Sequence, residues 1–107
     1  MKYQFGDVVL CRVPFHRAIG DKIRPSIVLV DSGDADFVGA PLTTRLRDSA
    51  FDITIEAWKD SGLNTPSSVR IHKLTVLPKA LIIRSLGSLT IADRDRVGRF
   101  LIALFSA

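Results

Sequence analysis

The sequence predicts a mainly β (α+β) fold, a small, strongly bent, SH3-like antiparallel barrel with a C-terminal helix. Three observations support this prediction. Short β-branched or apolar runs recur between Gly, Pro and Asp residues, one run alternates strictly between apolar and polar residues, and the final segment has helical spacing. Because a chain of 107 residues can bury one core but hardly two, we expect a single domain over residues 1–107.

Six segments are predicted as strands. Their β-branched and apolar residues suit a partly buried sheet, and the turn residues at their ends keep each one short. The fourth segment alternates apolar with polar side chains, so one of its faces should be buried and the other exposed. In order, the strands are residues 7–13, 26–30, 37–42, 51–56, 69–71 and 81–84, with turn-rich stretches at 16–23, 31–34 and 59–67.

The last segment is predicted as a helix with a well-marked start. Thr90 followed by Asp93 fits a capping box, and negative charge in the first turn suits the helix dipole. Ile102 and Ala103 widen the apolar stripe until the last two turns are apolar almost all round, so the helix end is either packed on both sides or presents a surface to a partner. The stripe itself consists of Val97, Phe100, Leu101, Leu104 and Phe105.

Motif content disfavours several function classes. The seven glycines form no phosphate-binding loop, and the histidines and Cys11 show no metal-ligand spacing, so we expect neither a nucleotide cofactor nor a metal site. Cys11 is the only cysteine, which excludes an internal disulfide. The longest apolar run, residues 100–105, is too short to span a bilayer, and no signal peptide is evident, so we expect a cytoplasmic protein without membrane contact.

The charge is modest in total and uneven along the chain. The net charge is +4, yet residues 31–60 hold seven acidic and only three basic side chains, so the basic side chains dominate at both ends. Basic ends can attract a polyanion, while the acidic middle repels it. Charge alone therefore indicates a solvated surface of mixed sign rather than a nucleic-acid-binding protein.

Four short segments follow one another in an informative order. They read GDVVL at residues 6–10, RPSIVLV at 24–30, APLTTR at 40–45 and GLNTPSSVR at 62–70. This order resembles the MazF/PemK family, the ribonuclease toxins of bacterial toxin–antitoxin pairs. With the helix after Leu89, the resemblance covers nearly the whole chain. It implies an SH3-like barrel that forms a homodimer, cleaves single-stranded RNA without a metal, and is neutralised by a cognate antitoxin protein.

The resemblance implies that Arg24 and Thr43 are catalytic residues. Arg24 precedes Pro25, which favours an extended conformation at the mouth of a strand. A guanidinium there can hold a phosphate with two parallel hydrogen bonds. The residue alone favours an exposed arginine in a surface ion pair, whereas the resemblance favours the functional role. Adjacent strand residues point to opposite faces, so only one of Thr43 and Thr44 can face Arg24 unless the strand has already ended.

His72 is the third catalytic candidate that the resemblance suggests. Some family members place an acidic residue, proposed as the general base, at this position, with an arginine two positions earlier that corresponds to Arg70. A histidine can act as acid or base near neutral pH, but His72 is equally well explained as an exposed strand residue. The RNA-binding candidates are Thr44, Arg45, Arg70 and Lys22.

Two other functions fit the predicted fold. A noncatalytic barrel that binds nucleic acid or protein would retain the architecture without the cleavage chemistry. A poison of DNA gyrase, like the toxin CcdB, would contact its target through the C-terminal helix and not through Arg24. Cleavage of single-stranded RNA in the presence of a chelator, assayed beside gyrase supercoiling, separates all three.

Overall fold

The computed structural model describes residues 2–14, 21–45 and 49–106. Within these ranges the chain forms seven strands and one α-helix, which confirms the predicted mainly β fold. The elements are β1 (Asp7–Pro14), β2 (Asp21–Val30), β3 (Asp36–Thr43), β4 (Asp52–Ile55), β5 (Ser67–Arg70), β6 (Thr75–Pro78), β7 (Ile82–Ser88) and α1 (Ile91–Phe105), with short 3-10 turns at Ile71–Lys73 and Lys79–Leu81.

The strands form one bent antiparallel sheet in the order β4-β5-β3-β2-β1-β7. One edge of β3 is shared between two partners, because its first half pairs with β6 and its end, Leu42 and Thr43, pairs with β5. Among the described strands β4 and β7 do not pair, so the sheet is not closed.

The main core lies between the sheet and α1. Val8, Ile27 and Val97 are fully buried in it, and one face of α1 adds partly buried apolar side chains. Those helix side chains are Phe100, Leu101 and Leu104. A smaller cluster that includes Val9, Cys11 and Phe37 fills a second buried region of the sheet.

The start of α1 follows the predicted cap and adds a tertiary anchor. The Asp93 N–H donates to Thr90 Oγ1 at 3.3 Å, as expected of an N-cap. The buried Asp93 carboxylate instead accepts from the N–H groups of Glu56 at 3.2 Å and Ala57 at 2.9 Å and from Arg96 Nη2 at 2.9 Å. Burial opposes ionisation, but these donors outweigh it and hold the Asp93 pKa below its usual value. Asp93 thus fastens the helix to the end of β4.

The far end of α1 leaves large apolar side chains in solvent. Phe105, which the predicted stripe includes, is 71% exposed, and Ile102 is 69% exposed. The core therefore covers one face of the last two turns and not both. Within the described residues, no helix is long and apolar enough to cross a membrane.

Several predicted boundaries are wrong. β2 begins at Asp21, five residues early, because Ile23 and Arg24 pair with Arg12 and Cys11 in β1. The predicted turn at 16–23 therefore includes the start of a strand, and residues 16–20 lie outside the described residues. The pattern also misses β6, whose short run of four residues pairs with the first half of β3.

Candidate functional site

An open cleft of about 480 Å³ lies where β2, β3 and β5 meet. Because β3 pairs with β2 on one side and with β5 on the other, residues from three separate segments of the sequence converge there. Six of the seven predicted site residues line this cleft: Lys22, Arg24, Thr43, Thr44, Arg45 and Arg70. With Ser67, which also lines it, the cleft therefore combines four cationic side chains with three hydroxyl groups.

Arg24 reaches the cleft from the first half of β2. It lies opposite Cys11 of β1 in the sheet and is only partly exposed. Pro25 continues the strand and pairs with Leu10, so the extended backbone expected before a proline is present. The sheet fixes the backbone on which the guanidinium is carried.

The end of β3 decides how the two threonines are placed. The strand ends at Thr43, and Thr44 lies in the bend that follows, so strict alternation no longer applies and both residues line the cleft. Thr43 Oγ1 accepts a hydrogen bond from the Arg45 N–H at 3.2 Å. The Thr43 hydroxyl therefore holds the bend and retains its own proton for donation to a ligand.

Arg70 is held in the cleft by a carboxylate that the sequence pattern did not indicate. Its Nε donates to Asp52 Oδ1 at 3.1 Å, and the two residues face each other across β4 and β5. The Asp52 side chain is 1% exposed, although the alternating pattern placed it on the wet face of its strand. The Arg70–Asp52 pair could be predicted only from the register between β4 and β5, which a single sequence does not supply.

His72 lies beside the cleft and is absent from its lining. It stands in the 3-10 turn Ile71–Lys73 and is exposed, so its expected position in a strand is wrong. Its Nε2 lies 3.4 Å from Arg70 Nη2, and its ring centroid lies 5.3 Å from that of Phe51. Arg70 thereby connects His72 with the cleft.

A second cleft of about 410 Å³ continues the first. The two share Pro25, Thr44 and Ser67, and the second extends past Asn64 to Arg84 on β7. Together they form one groove, which is lined by residues of β2, β3, β5 and β7. Its lining mixes apolar side chains with hydroxyl groups and with cationic side chains, which in the second cleft are represented by Arg84.

Other chemistry-bearing groups lie apart from the cleft. Burial raises the pKa of the Cys11 thiol to about 11, with a hydrogen bond involving Ser26 opposing the shift, so the thiol is not poised as a nucleophile. In the part of the chain that the structure describes, no three His, Cys, Asp or Glu side chains cluster as metal ligands would.

Comparison with known protein families identifies the family to which the chain belongs. Residues 4–105 match the family model described as PemK-like, MazF-like toxin of type II toxin–antitoxin systems. The chain belongs to this toxin family. The match spans all four segments on which the resemblance was based, together with the whole of α1.

Solved structures of similar fold agree with this assignment. The Mycobacterium tuberculosis toxin MazF-mt6 superposes with a TM-score of 0.71 at 20% identity, covering 92% of this chain and 96% of that chain. An endoribonuclease in complex with its cognate antitoxin, from a mycobacterial species, gives a TM-score of 0.75 at 19% identity and covers 97% and 95%. At such identities the likeness establishes the toxin fold. No curated protein matches the chain.

Proposed function

We propose that this toxin is a metal-independent endoribonuclease that cleaves single-stranded RNA, and that residues 1–107 form its single domain. One observation carries the proposal: the cleft brings Arg24, Arg70 and Thr43 together from three strands. Cations and hydroxyl donors around one open cleft suit a phosphodiester, whose charge grows during attack. Two of the structurally similar proteins are mycobacterial endoribonucleases, which supports the same function.

The proposed reaction uses the RNA's own 2′-hydroxyl. The 2′-oxygen bonds to the adjacent phosphorus, the bond from phosphorus to the 5′-oxygen breaks, and the products are a 2′,3′-cyclic phosphate and a 5′-hydroxyl end. A base must accept the proton of the 2′-hydroxyl, and an acid must supply one to the departing 5′-oxygen. Groups that donate hydrogen bonds to the pentacovalent phosphate stabilise the transition state and so lower the activation barrier.

Each predicted residue has a place in this scheme. Arg24 and Thr43 donate to the phosphate oxygens from the cleft, where a guanidinium can make two parallel hydrogen bonds. His72, exposed beside Arg70, takes the proton-transfer role for which imidazole is suited near neutral pH. The remaining candidates, Lys22, Thr44, Arg45 and Arg70, hold the RNA backbone along the groove.

The test is a cleavage assay on a long single-stranded RNA in the presence of EDTA. We expect fragmentation to persist, to leave 2′,3′-cyclic phosphate and 5′-hydroxyl ends, and to stop when the 2′-hydroxyl of the scissile nucleotide is replaced by hydrogen. A requirement for a divalent metal, or equal cleavage of all-DNA substrate, would overturn the mechanism. Inhibition of gyrase supercoiling without RNA cleavage would instead identify a gyrase poison.

We also propose that the protein acts as a homodimer and is neutralised by a cognate antitoxin protein. Membership of a type II toxin family supports an antitoxin partner. The exposed Ile102 and Phe105 on α1 support a protein contact, because large apolar side chains in solvent gain free energy when a partner covers them.

A further inference from the structure

Asp52 is a buried carboxylate whose bonding differs from that of the other buried aspartates. Its side chain is 1% exposed, and its Oδ1 accepts from Arg70 Nε at 3.1 Å. Within the described residues, its Oδ2 is buried without a hydrogen-bond partner. Burial of a charged group is costly unless the charge is paired, so Asp52 depends on Arg70 for its compensation.

Two other buried aspartates show what a purely structural carboxylate does in this fold. Asp31 accepts from the N–H groups of Tyr3 at 2.6 Å and Gly33 at 2.8 Å as well as from Lys79 Nζ at 2.8 Å. Asp93 likewise accepts from two backbone N–H groups at the end of β4. Both therefore fasten segments of backbone. The hydrogen bond to Asp52 comes from a side chain that lines the cleft.

We propose that Asp52 is a positioning residue for RNA cleavage, which fixes the Arg70 guanidinium between the cleft and His72. The inference rests on the proposed endoribonuclease function. A bond at Nε fixes the plane of the guanidinium and leaves both terminal amino groups for other acceptors. Asp52 is too deeply buried to contact RNA, so it acts through Arg70.

The orientation of Arg70 also bears on His72. Arg70 Nη2 lies 3.4 Å from His72 Nε2, so the guanidinium stands in contact with the imidazole to which the proposed reaction assigns proton transfer. Loss of Asp52 frees the guanidinium to rotate away from this contact and from the phosphate.

The experiment is a double-mutant cycle on the cleavage rate. A long single-stranded RNA is first used to map a cut, and an oligonucleotide containing that cut then serves for steady-state kinetics. We expect Asp52→Asn to lower kcat about tenfold or more, with a much smaller change in KM, because Arg70 contacts His72 and misplacement of the imidazole acts on the chemical step. In an Arg70→Ala background, Asp52→Asn should have almost no further effect.

The matched control is Asp31→Asn, which removes another buried ion pair, neither member of which lines the cleft. It should lower the melting temperature and leave kcat unchanged. Should Asp52→Asn fail to fold, Asp52→Glu replaces it in the same cycle, since it keeps the charge and moves the carboxylate by one methylene.

The outcomes separate this inference from the function on which it rests. A wild type that does not cleave RNA overturns the endoribonuclease proposal and this inference with it. A wild type that cleaves, together with an Asp52 variant of full kcat, overturns the positioning role alone. Equal losses from Asp52→Asn in the wild-type and Arg70→Ala backgrounds would also overturn it, because they would mean that Asp52 acts independently of Arg70.

Discussion

Arg24 is the residue on which the proposed chemistry most depends. Its charge should interact more strongly with the transition state than with the bound substrate, because the phosphate gains charge during attack. We expect Arg24→Ala to lower kcat by a factor on the order of a hundred or more, while RNA affinity falls much less. Arg24→Lys should restore only part of the rate, since an ammonium group cannot make the two-pronged contact.

The measurement is single-turnover cleavage combined with direct RNA binding for each variant. Lys73→Ala provides a control, because Lys73 is an exposed cation that does not line the cleft. Lys73→Ala should change neither the cleavage rate nor the RNA affinity strongly. Cleavage by Arg24→Ala at the wild-type rate would show that Arg24 is not a catalytic residue.

Single residues also show where sequence reasoning reached its limit. The order RPSIVLV then APLTTR was enough to select Arg24 and Thr43, and the structure brings both to one cleft. Asp52 was missed because an aspartate at a polar position of an alternating strand is typical of a solvent face. Only the pairing of β4 with β5 places it opposite Arg70 and buries it.

At the scale of elements, the junction between β4 and α1 depends on Asp93. Its two carboxylate oxygens accept from the N–H groups of Glu56 and Ala57, and Arg96 completes the pairing. In Asp93→Asn, one oxygen becomes an amino group that faces a backbone donor. We expect a loss of about 2–3 kcal/mol in the free energy of unfolding, as for hydrogen bonds to a charged group.

The same anchor gives the stability a defined pH dependence. The Asp93 pKa lies below its usual value in the folded protein, so the anchor is fully present above the unfolded-state pKa of about 3.9 and is lost as the pH falls through the folded-state pKa. Denaturant unfolding of wild type and Asp93→Asn should therefore differ most from neutral pH to about pH 5 and converge in stronger acid.

The control for the Asp93→Asn variant is Glu56→Gln. Glu56 makes a longer contact of 3.6 Å with Arg96, and its side chain is 75% exposed. Exposed ion pairs contribute little, so its effect should stay within about 1 kcal/mol. Equal stability of wild type and Asp93→Asn at pH 7 would show that α1 is held by its apolar face alone.

The boundaries of helices and strands were predictable where local capping or turn residues mark them. They were not predictable where pairing with a distant strand sets them. Thr90 marked the start of α1 correctly because an N-cap is a local property. The early start of β2 and the existence of β6 depend on partners in β1 and β3, which lie far away in sequence. His72 left the expected strand for a 3-10 turn, which no local pattern in its segment indicates.

At the scale of the whole molecule, the apolar end of α1 is a surface that the core leaves exposed to solvent. Ile102 and Phe105 lie three residues apart on one face of the helix and are 69% and 71% exposed. The sequence left open whether this end is packed on both sides or faces a partner. The structure shows that the core covers the neighbouring face, through Phe100, Leu101 and Leu104.

We predict that this face contributes to contact with a second copy of the chain. Sedimentation of the wild type at micromolar concentration should give a dimer, and Ile102→Glu and Phe105→Glu should each weaken it. Because both positions are exposed, the substitutions should change the stability of the protomer by only about 0.5 kcal/mol. Ala103→Glu, on a neighbouring exposed position, is the control and should leave the dimer intact. A wild-type monomer, or variants that associate as the wild type does, would show that this face is not the dimer contact.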